Sequence, residues 1–98
     1  MAKAYMVTTY RSIKNPEALA AYAKLAGPAI QAGGGRFLVR GTPAKTYEAG
    51  LNERTVVIEF PSLAKAVATM EGPGYKDAVK LLGKDAAVRD MRLVEGVE

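Results

Sequence analysis

Arg36, Arg40 and Glu59 are the charged side chains of this chain whose spacing best suits the binding of a small molecule. The two arginines follow a glycine run at 33–35, and Glu59 lies in the apolar segment 55–60. An arginine is always charged, and its planar guanidinium binds a carboxylate through parallel hydrogen bonds. Two interpretations stay open. Either Arg40 and Glu59 form a buried structural ion-pair cluster, which could also reach across a dimer, or the arginines bind a small anion while Glu59 orients them.

Tyr22 and Tyr75 are the second group of candidates, in a chain with five tyrosines and only two phenylalanines. A buried tyrosine usually packs its ring and gives its hydroxyl a polar partner. Tyr22 in the first predicted helix and Tyr75 near the second could instead border a cavity between helices and sheet. Because the chain has no histidine and no cysteine, such a tyrosine or Glu59 would have to supply any acid or base chemistry.

The absence of cysteine and histidine excludes several classes of site. Disulfides, thiolate nucleophiles and zinc sites built from these residues are impossible. Asp77, Asp85 and Asp90 lack a spacing that would converge on a cation. The glycines at 33–35 precede a strand rather than a helix, so they do not form a phosphate-binding loop. The sequence therefore predicts neither a metal nor a cofactor.

The basic residues are dispersed along the chain. There are 14 lysines and arginines against 10 acidic residues, giving a net charge of +4, and there is no tryptophan. No basic run alternates with aromatic residues, so a solvated mixed surface is favoured over nucleic-acid binding. No apolar stretch has the length of a membrane span, and no secretory leader is recognisable. We expect a cytoplasmic protein with no membrane partner.

Four strands and three helical segments are predicted from hydrophobic spacing and end signals. The strands are expected at 4–10, 36–40, 55–60 and 88–94, and the helices at 16–32, 63–70 and 75–82. Pro28 predicts a kink or break in the first helix because it lacks a backbone N–H. Residues 44–48 are a candidate edge extension of the second strand. Alternation in that strand places Arg36, Leu38 and Arg40 on one face.

The order β-α-β-β-α(α)-β is that of the ferredoxin-like α+β fold, a four-stranded antiparallel sheet with helices on one face. We expect residues 1–98 to form one such domain. Whichever face of the sheet turns away from the helices keeps apolar side chains. Pairing two sheets face to face would bury them, so the sequence also predicts a two-fold symmetric homodimer.

Several short motifs resemble one small bacterial family, that catalogued as domain of unknown function number 1330. They are Asn15-Pro16-Glu17, Tyr22, the run Gly34–Gly41, Glu59–Ser62, Tyr75 and Val94–Gly96. The resemblance implies a dimeric α+β barrel, a superfamily that includes small monooxygenases, muconolactone isomerase-like proteins and chlorite-dismutase-like haem proteins. Relatives in that superfamily hold ligands between helices and sheet. The resemblance implies no reaction.

One position departs from the family pattern. Members often carry a histidine directly before the Gly-Gly-Arg run, where this chain has Gly33. Any chemistry of that histidine is lost here, and a haem role is not expected, since the chain has no histidine or cysteine to ligate the iron.

Three functions remain open on the sequence. The first is a small dimeric protein that binds a small anionic or aromatic ligand through Arg36, Arg40 and Glu59, with Tyr22 and Tyr75 at the cavity. The second is a cofactor-independent isomerase or monooxygenase acting on a small organic or aromatic substrate. The third is an interaction module without a ligand.

Overall fold

The computed structural model describes residues 2–97. It contains four strands and three helices in the predicted order. The strands are β1 (Ala4–Ile13), β2 (Arg36–Gly41), β3 (Thr55–Phe60) and β4 (Ala87–Glu95), and the helices are α1 (Pro16–Ala32), α2 (Leu63–Met70) and α3 (Pro73–Leu82). The strands form one antiparallel sheet in the order β2-β3-β1-β4. The predicted ferredoxin-like α+β fold is confirmed.

Helix α1 begins and ends where local chemistry dictates. The Asn15 side chain accepts a hydrogen bond from the Ala18 amide at 3.1 Å, and Pro16 occupies the first turn. Gly34 follows the helix with a positive φ of 94°, a conformation that favours glycine. At Gly35 an added Cβ would lie 2.5 Å from the Ile30 side chain. The glycine run thus lets β2 start directly against the end of α1.

Of the kink or break predicted at Pro28, the break is wrong. Helix α1 runs through this residue as one element, with Pro28 inside it. Its buried side chains Tyr22, Ala26 and Ile30 recur every fourth residue on both sides of Pro28. Packing of this stripe on the sheet carries the helix past the missing backbone hydrogen bond.

The helices cover one face of the sheet, which we call the covered face. Alternate residues of β1 and β3 point into it, among them Met6, Ile58 and the fully buried Phe60. These side chains pack with the buried residues of α1, α2 and α3 to form the core. The opposite side of the sheet, which we call the open face, carries the remaining alternate residues of the strands, including Val7 and Val57.

Strand β2 contains a bulge that changes which residues share a face. Arg36 and Phe37 are opposite Glu59 and Ile58 of β3, but the register shifts before Val39, which is opposite Val57. Leu38 is therefore the extra residue of the bulge.

Past Leu38, Arg40 lies opposite Val56, a covered-face residue, whereas Arg36 lies on the open face. The prediction that both arginines share one face is wrong.

Residues 42–54 connect β2 to β3 without a strand, so the edge extension predicted at 44–48 is also wrong. A turn closed by the Gly50 amide and the Tyr47 carbonyl, 2.9 Å apart, occupies part of the segment. Tyr47 is 73% exposed.

Candidate functional site

A cavity of about 40 Å³ lies between the helices and the covered face of the sheet. It extends between α1 and the strands, with α3 contributing Tyr75. Most of its walls are apolar. Its polar side chains are Thr8, Tyr10, Tyr22, Arg40, Arg54, Tyr75 and Arg89. Among the residues that the structure describes, the lining includes three arginines and no carboxylate, so the cavity has a cationic character.

On the sheet side of the cavity, Tyr10 lies between two arginines. Across the sheet, Tyr10 is paired with Arg89 of β4. On its other side the Tyr10 amide donates to the Arg54 carbonyl at 3.0 Å. The two arginines therefore flank Tyr10, Arg89 in β4 and Arg54 directly before β3, and all three side chains line the same cavity. The Arg89 guanidinium lies 5.8 Å from the centre of the Tyr10 ring.

Tyr22 and Tyr75 meet at the helical side of the cavity. Their hydroxyl oxygens are 2.7 Å apart, and their rings stand edge to face at 6.0 Å. Arg89 donates from Nη1 to the Tyr22 hydroxyl at 2.9 Å and lies 4.9 Å from the centre of the Tyr22 ring. Helix α1, helix α3 and strand β4 thus each contribute one member of a hydrogen-bonded triplet, Tyr22–Tyr75–Arg89.

The triplet has more donors than acceptors. Two phenolic hydrogens are available, and only one of them can lie between the two hydroxyl oxygens. In the part of the chain that the structure describes, neither hydroxyl has a partner outside the triplet. Arg89 has five N–H donors, and one of them reaches Tyr22. One phenolic hydrogen and several guanidinium hydrogens are left for an acceptor from outside the triplet.

The protonation states of Tyr22 and Arg89 are set by their surroundings. Burial raises the pKa of the Tyr22 phenol above its ordinary value, and the neighbouring Tyr75 adds to the rise. Burial by itself would lower the pKa of the Arg89 guanidinium, but interaction with Tyr22 and Tyr75 outweighs it and raises that pKa. Tyr22 is therefore neutral and Arg89 charged at physiological pH.

Arg40 reaches the cavity from the sheet edge because of the bulge. Its guanidinium lies 4.5 Å from the centre of the Phe37 ring, and both side chains line the cavity. Among residues 2–97 no carboxylate lies within ion-pair distance of Arg40, Arg54 or Arg89. Within the chain, the Arg40–Glu59 ion pair considered in the sequence is wrong, since the bulge turns these two side chains to opposite faces.

Glu59 and Arg36 lie on the open face, outside the cavity. Glu59 Oε1 is 3.4 Å from Arg36 Nη2 and 3.5 Å from Lys3 Nζ. The Tyr5 hydroxyl donates to Glu59 Oε2 at 3.3 Å. The Glu59 side chain is only 15% exposed, and its partners compensate its charge. Of the five candidates, the structure brings Tyr22, Tyr75 and Arg40 to one cavity and sends Arg36 and Glu59 to the other side of the sheet.

Arg89, Arg54 and Tyr10 line the cavity and were missed as site residues. Arg89 had a signal in the sequence. In the predicted strand 88–94 it shares its parity with Met91 and Leu93, so a charge was visible on an apolar stripe. The position of Arg54 beside Tyr10 depends on strand pairing, which no local pattern reveals.

Gly33 lies in a second depression, a surface groove between the end of α1 and helices α2 and α3. A Cβ at this position would overlap the Thr69 side chain. Thr69 Oγ1 donates to the Lys65 carbonyl at 2.8 Å and approaches the Gly33 carbonyl at 3.4 Å. Any larger residue at 33 would have to displace Thr69.

Two further observations concern residues 2–97. Within this range no three His, Cys, Asp or Glu side chains are grouped so that they could hold a metal ion. None of the helices described is both long enough and apolar enough to cross a membrane.

The chain belongs to the family described as domain of unknown function DUF1330, which it matches over residues 3–97. The resemblance seen in the sequence is thereby confirmed. No curated protein matches the sequence. The family is described as one of unknown function, so membership identifies relatives of the chain but no reaction.

Solved structures similar to this chain share its fold. A protein of unknown function from Rhodopseudomonas palustris has 22% identity and a TM-score of 0.75, covering 99% of this chain and 84% of its own. A dimeric ferredoxin-like protein of unknown function from Thermobifida fusca has 16% identity and a TM-score of 0.65, with 96% and 91% covered. A protein from Caulobacter crescentus, proposed to be an antibiotic biosynthesis monooxygenase, has 15% identity and a TM-score of 0.64, with 99% and 92% covered.

Proposed function

We propose that this protein binds a small carboxylate in the cavity between its helices and its sheet. The observation that carries the proposal is Arg89, a half-buried cation that contacts Tyr22 and Tyr10 but no carboxylate of the described chain. Burying a charge without a counter-ion is costly. A sequence that keeps such a residue beside a cavity is best explained by an anion that enters and neutralises it.

The hydrogen-bonding inventory of the triplet supports a carboxylate over a neutral ligand. A carboxylate has only acceptors, and its two oxygens match two N–H groups of one guanidinium. The unshared phenolic hydrogen of the pair Tyr22–Tyr75 adds a further donor. A neutral alcohol or amide would bring donors of its own to a wall that offers few acceptors.

A homodimer is the second part of the proposal. The open face carries a row of valines across three strands, since Val39 is opposite Val57 and Val57 is opposite Val7. Val39 is 47% exposed in the single chain. The solved structure from T. fusca, which shares the fold, is described as dimeric. Pairing two open faces would bury the valine row. Sedimentation of the purified chain at micromolar concentration tests this part, and a monomer contradicts it.

A thermal-shift titration with small carboxylates tests the carboxylate site. Acetate, propionate, pyruvate and benzoate would each be titrated at constant ionic strength, with Arg89→Gln as the test variant. A ligand at a hundredfold its Kd should stabilise the wild type by about 2.7 kcal/mol, and this stabilisation should vanish in Arg89→Gln. Lys80→Gln, on the outer side of α3, removes the same charge away from the cavity and should behave as the wild type does.

A cofactor-independent enzyme acting on the same ligand is the second candidate. The observation in its favour is the hydroxyl pair of Tyr22 and Tyr75 inside the cavity, because a neutral phenol can donate a proton or a hydrogen bond to a bound substrate. Turnover of a carboxylate that binds, lost in Tyr75→Phe with binding retained, would support it. A folded dimer that binds no carboxylate would favour the interaction module instead. The cytoplasmic location stays a prediction.

A further inference from the structure

We infer that the ligand carries two carboxylates, one held by Arg89 inside the cavity and the other by Arg40 and Arg54 where the cavity opens. This inference rests on the proposed carboxylate site and names its ligand class. It follows from the arrangement of three arginines along the covered face of the sheet, of which the carboxylate site uses only Arg89.

The sheet sets the separation of the two cationic positions. Arg54 and Arg89 lie on either side of Tyr10, one in the segment entering β3 and the other in β4. Neighbouring strands are roughly 5 Å apart, so the two backbones are separated by roughly 10 Å. Both side chains line the cavity. Two guanidinium groups that enter the same cavity from backbones this far apart suit two separate anionic groups better than a single one.

Arg40 strengthens the outer position. The bulge at Leu38 brings it to the covered face opposite Val56, two residues along the chain from Arg54. Its guanidinium stays 4.5 Å from the centre of the Phe37 ring, which limits its freedom without neutralising its charge. Within residues 2–97 neither Arg40 nor Arg54 has a carboxylate at ion-pair distance.

The size of the cavity sets what can enter it. Its volume is about 40 Å³, and one water-sized group needs roughly 10–15 Å³ on this measure. The enclosed space therefore accepts a carboxylate and little more. The rest of the ligand must lie toward solvent, where Arg40 is exposed and Arg54 is half-buried. A second carboxylate on that outer part would meet both arginines.

Calorimetric titration with length-matched acids tests the inference. Succinate, glutarate and adipate would be compared with butyrate, pentanoate and hexanoate at constant ionic strength, using the full chain. At least one dicarboxylate should bind about tenfold tighter than its length-matched monocarboxylate, as expected for one added charge-assisted contact. In the double variant Arg40→Gln/Arg54→Gln this ratio should fall to about one. Lys80→Gln should keep the ratio.

The outcomes separate this inference from the proposed function. If both acid series bind with equal affinity and Arg89→Gln abolishes binding, the carboxylate site stands and the second anionic position is overturned. If neither series binds to the folded protein, both proposals fail. If the dicarboxylate preference survives in the double variant, Arg40 and Arg54 do not hold the second carboxylate, and the inference is again overturned. Circular dichroism of each variant verifies that it is folded.

Discussion

The two faces of the sheet carry arginines in opposite electrostatic settings. On the open face Arg36 lies 3.4 Å from Glu59, and Arg92 lies 3.1 Å from Asp90. On the covered face Arg89 contacts two tyrosine rings and a hydroxyl, with no carboxylate of the described chain in reach. The open face pairs its arginines within the chain, and the covered face leaves its arginines available to an anion from outside.

This difference shows that the setting of an arginine, and not its presence in a strand, indicates a site. Exposed ion pairs contribute about 0–1 kcal/mol, so the open-face pairs are compatible with a purely structural role. A half-buried cation without a counter-ion is unfavourable for stability. Arg89 is therefore more informative about function than Arg36, although the sequence drew attention to Arg36 first.

We expect the largest effect on ligand binding from the variant Arg89→Met, which removes the half-buried arginine of the covered face. We expect carboxylate affinity to fall about a hundredfold, because the charged and bidentate contact is lost. Thermal stability should stay equal or rise, since an apolar side chain of similar length replaces a half-buried unpaired cation. Calorimetric titration and the melting temperature measure the two effects on the same samples.

Arg36→Met is the matched control on the open face. It should leave carboxylate affinity unchanged and cost at most about 1 kcal/mol, because it removes a partner of Glu59 at the surface. If Arg36→Met loses affinity while Arg89→Met keeps it, the assignment of the two faces is reversed.

Tyr22, on the covered side of the sheet, should affect the stability of the protein at alkaline pH. The variant Tyr22→Phe tests this. Burial and Tyr75 raise the pKa of Tyr22 above its ordinary value of 10.0. The unfolded chain therefore loses this proton first, and stability falls as pH rises above the ordinary value. Phenylalanine has no such proton, so the variant should lose stability less steeply there, by up to about 1.4 kcal/mol per pH unit.

Unfolding by denaturant at several alkaline pH values measures this slope. The control is Tyr47→Phe, which removes a phenol that is 73% exposed and remote from the core. Equal slopes in wild type and Tyr22→Phe would show that Tyr22 titrates alike in the folded and unfolded chain, and the enclosed character of the cavity wall would be refuted.

Local patterns were enough to predict the fold. The cap at Asn15, the apolar stripe of α1 and the alternation in β3 each depend on residues close in sequence, and the structure bears them out. The Pro28 break was wrong because a single missing hydrogen bond is a small effect beside the packing of a whole helix face.

The candidate site was predicted only in part, because its composition depends on non-local geometry. Tyr22 and Tyr75 were named and do meet. The bulge at Leu38 has no signature in the run Gly33–Gly41, yet it decides that Arg40 and not Arg36 reaches the cavity. Of the three cavity residues that were missed, only Arg89 could have been found from the sequence, because it is a charged residue on the otherwise apolar face of its strand.

The smallest effect that we expect is a change in the stability of the protein at acidic pH, caused by Asp90→Asn on the open face. A hydrogen bond from Arg92 lowers the pKa of Asp90 below its ordinary value of 3.8, and the charges of Arg92 and Arg11 act in the same direction. This contribution to stability is present above the ordinary value and is lost as pH falls through the lowered one. Asp90→Asn should therefore lose stability less steeply on acidification, in melting curves recorded from neutral pH downward.

Asp77→Asn, at the exposed pair with Lys80 on α3, is the control. If Asp90→Asn follows the wild type throughout, the open-face pairs add nothing to stability, and only the covered face distinguishes the two sets of arginines.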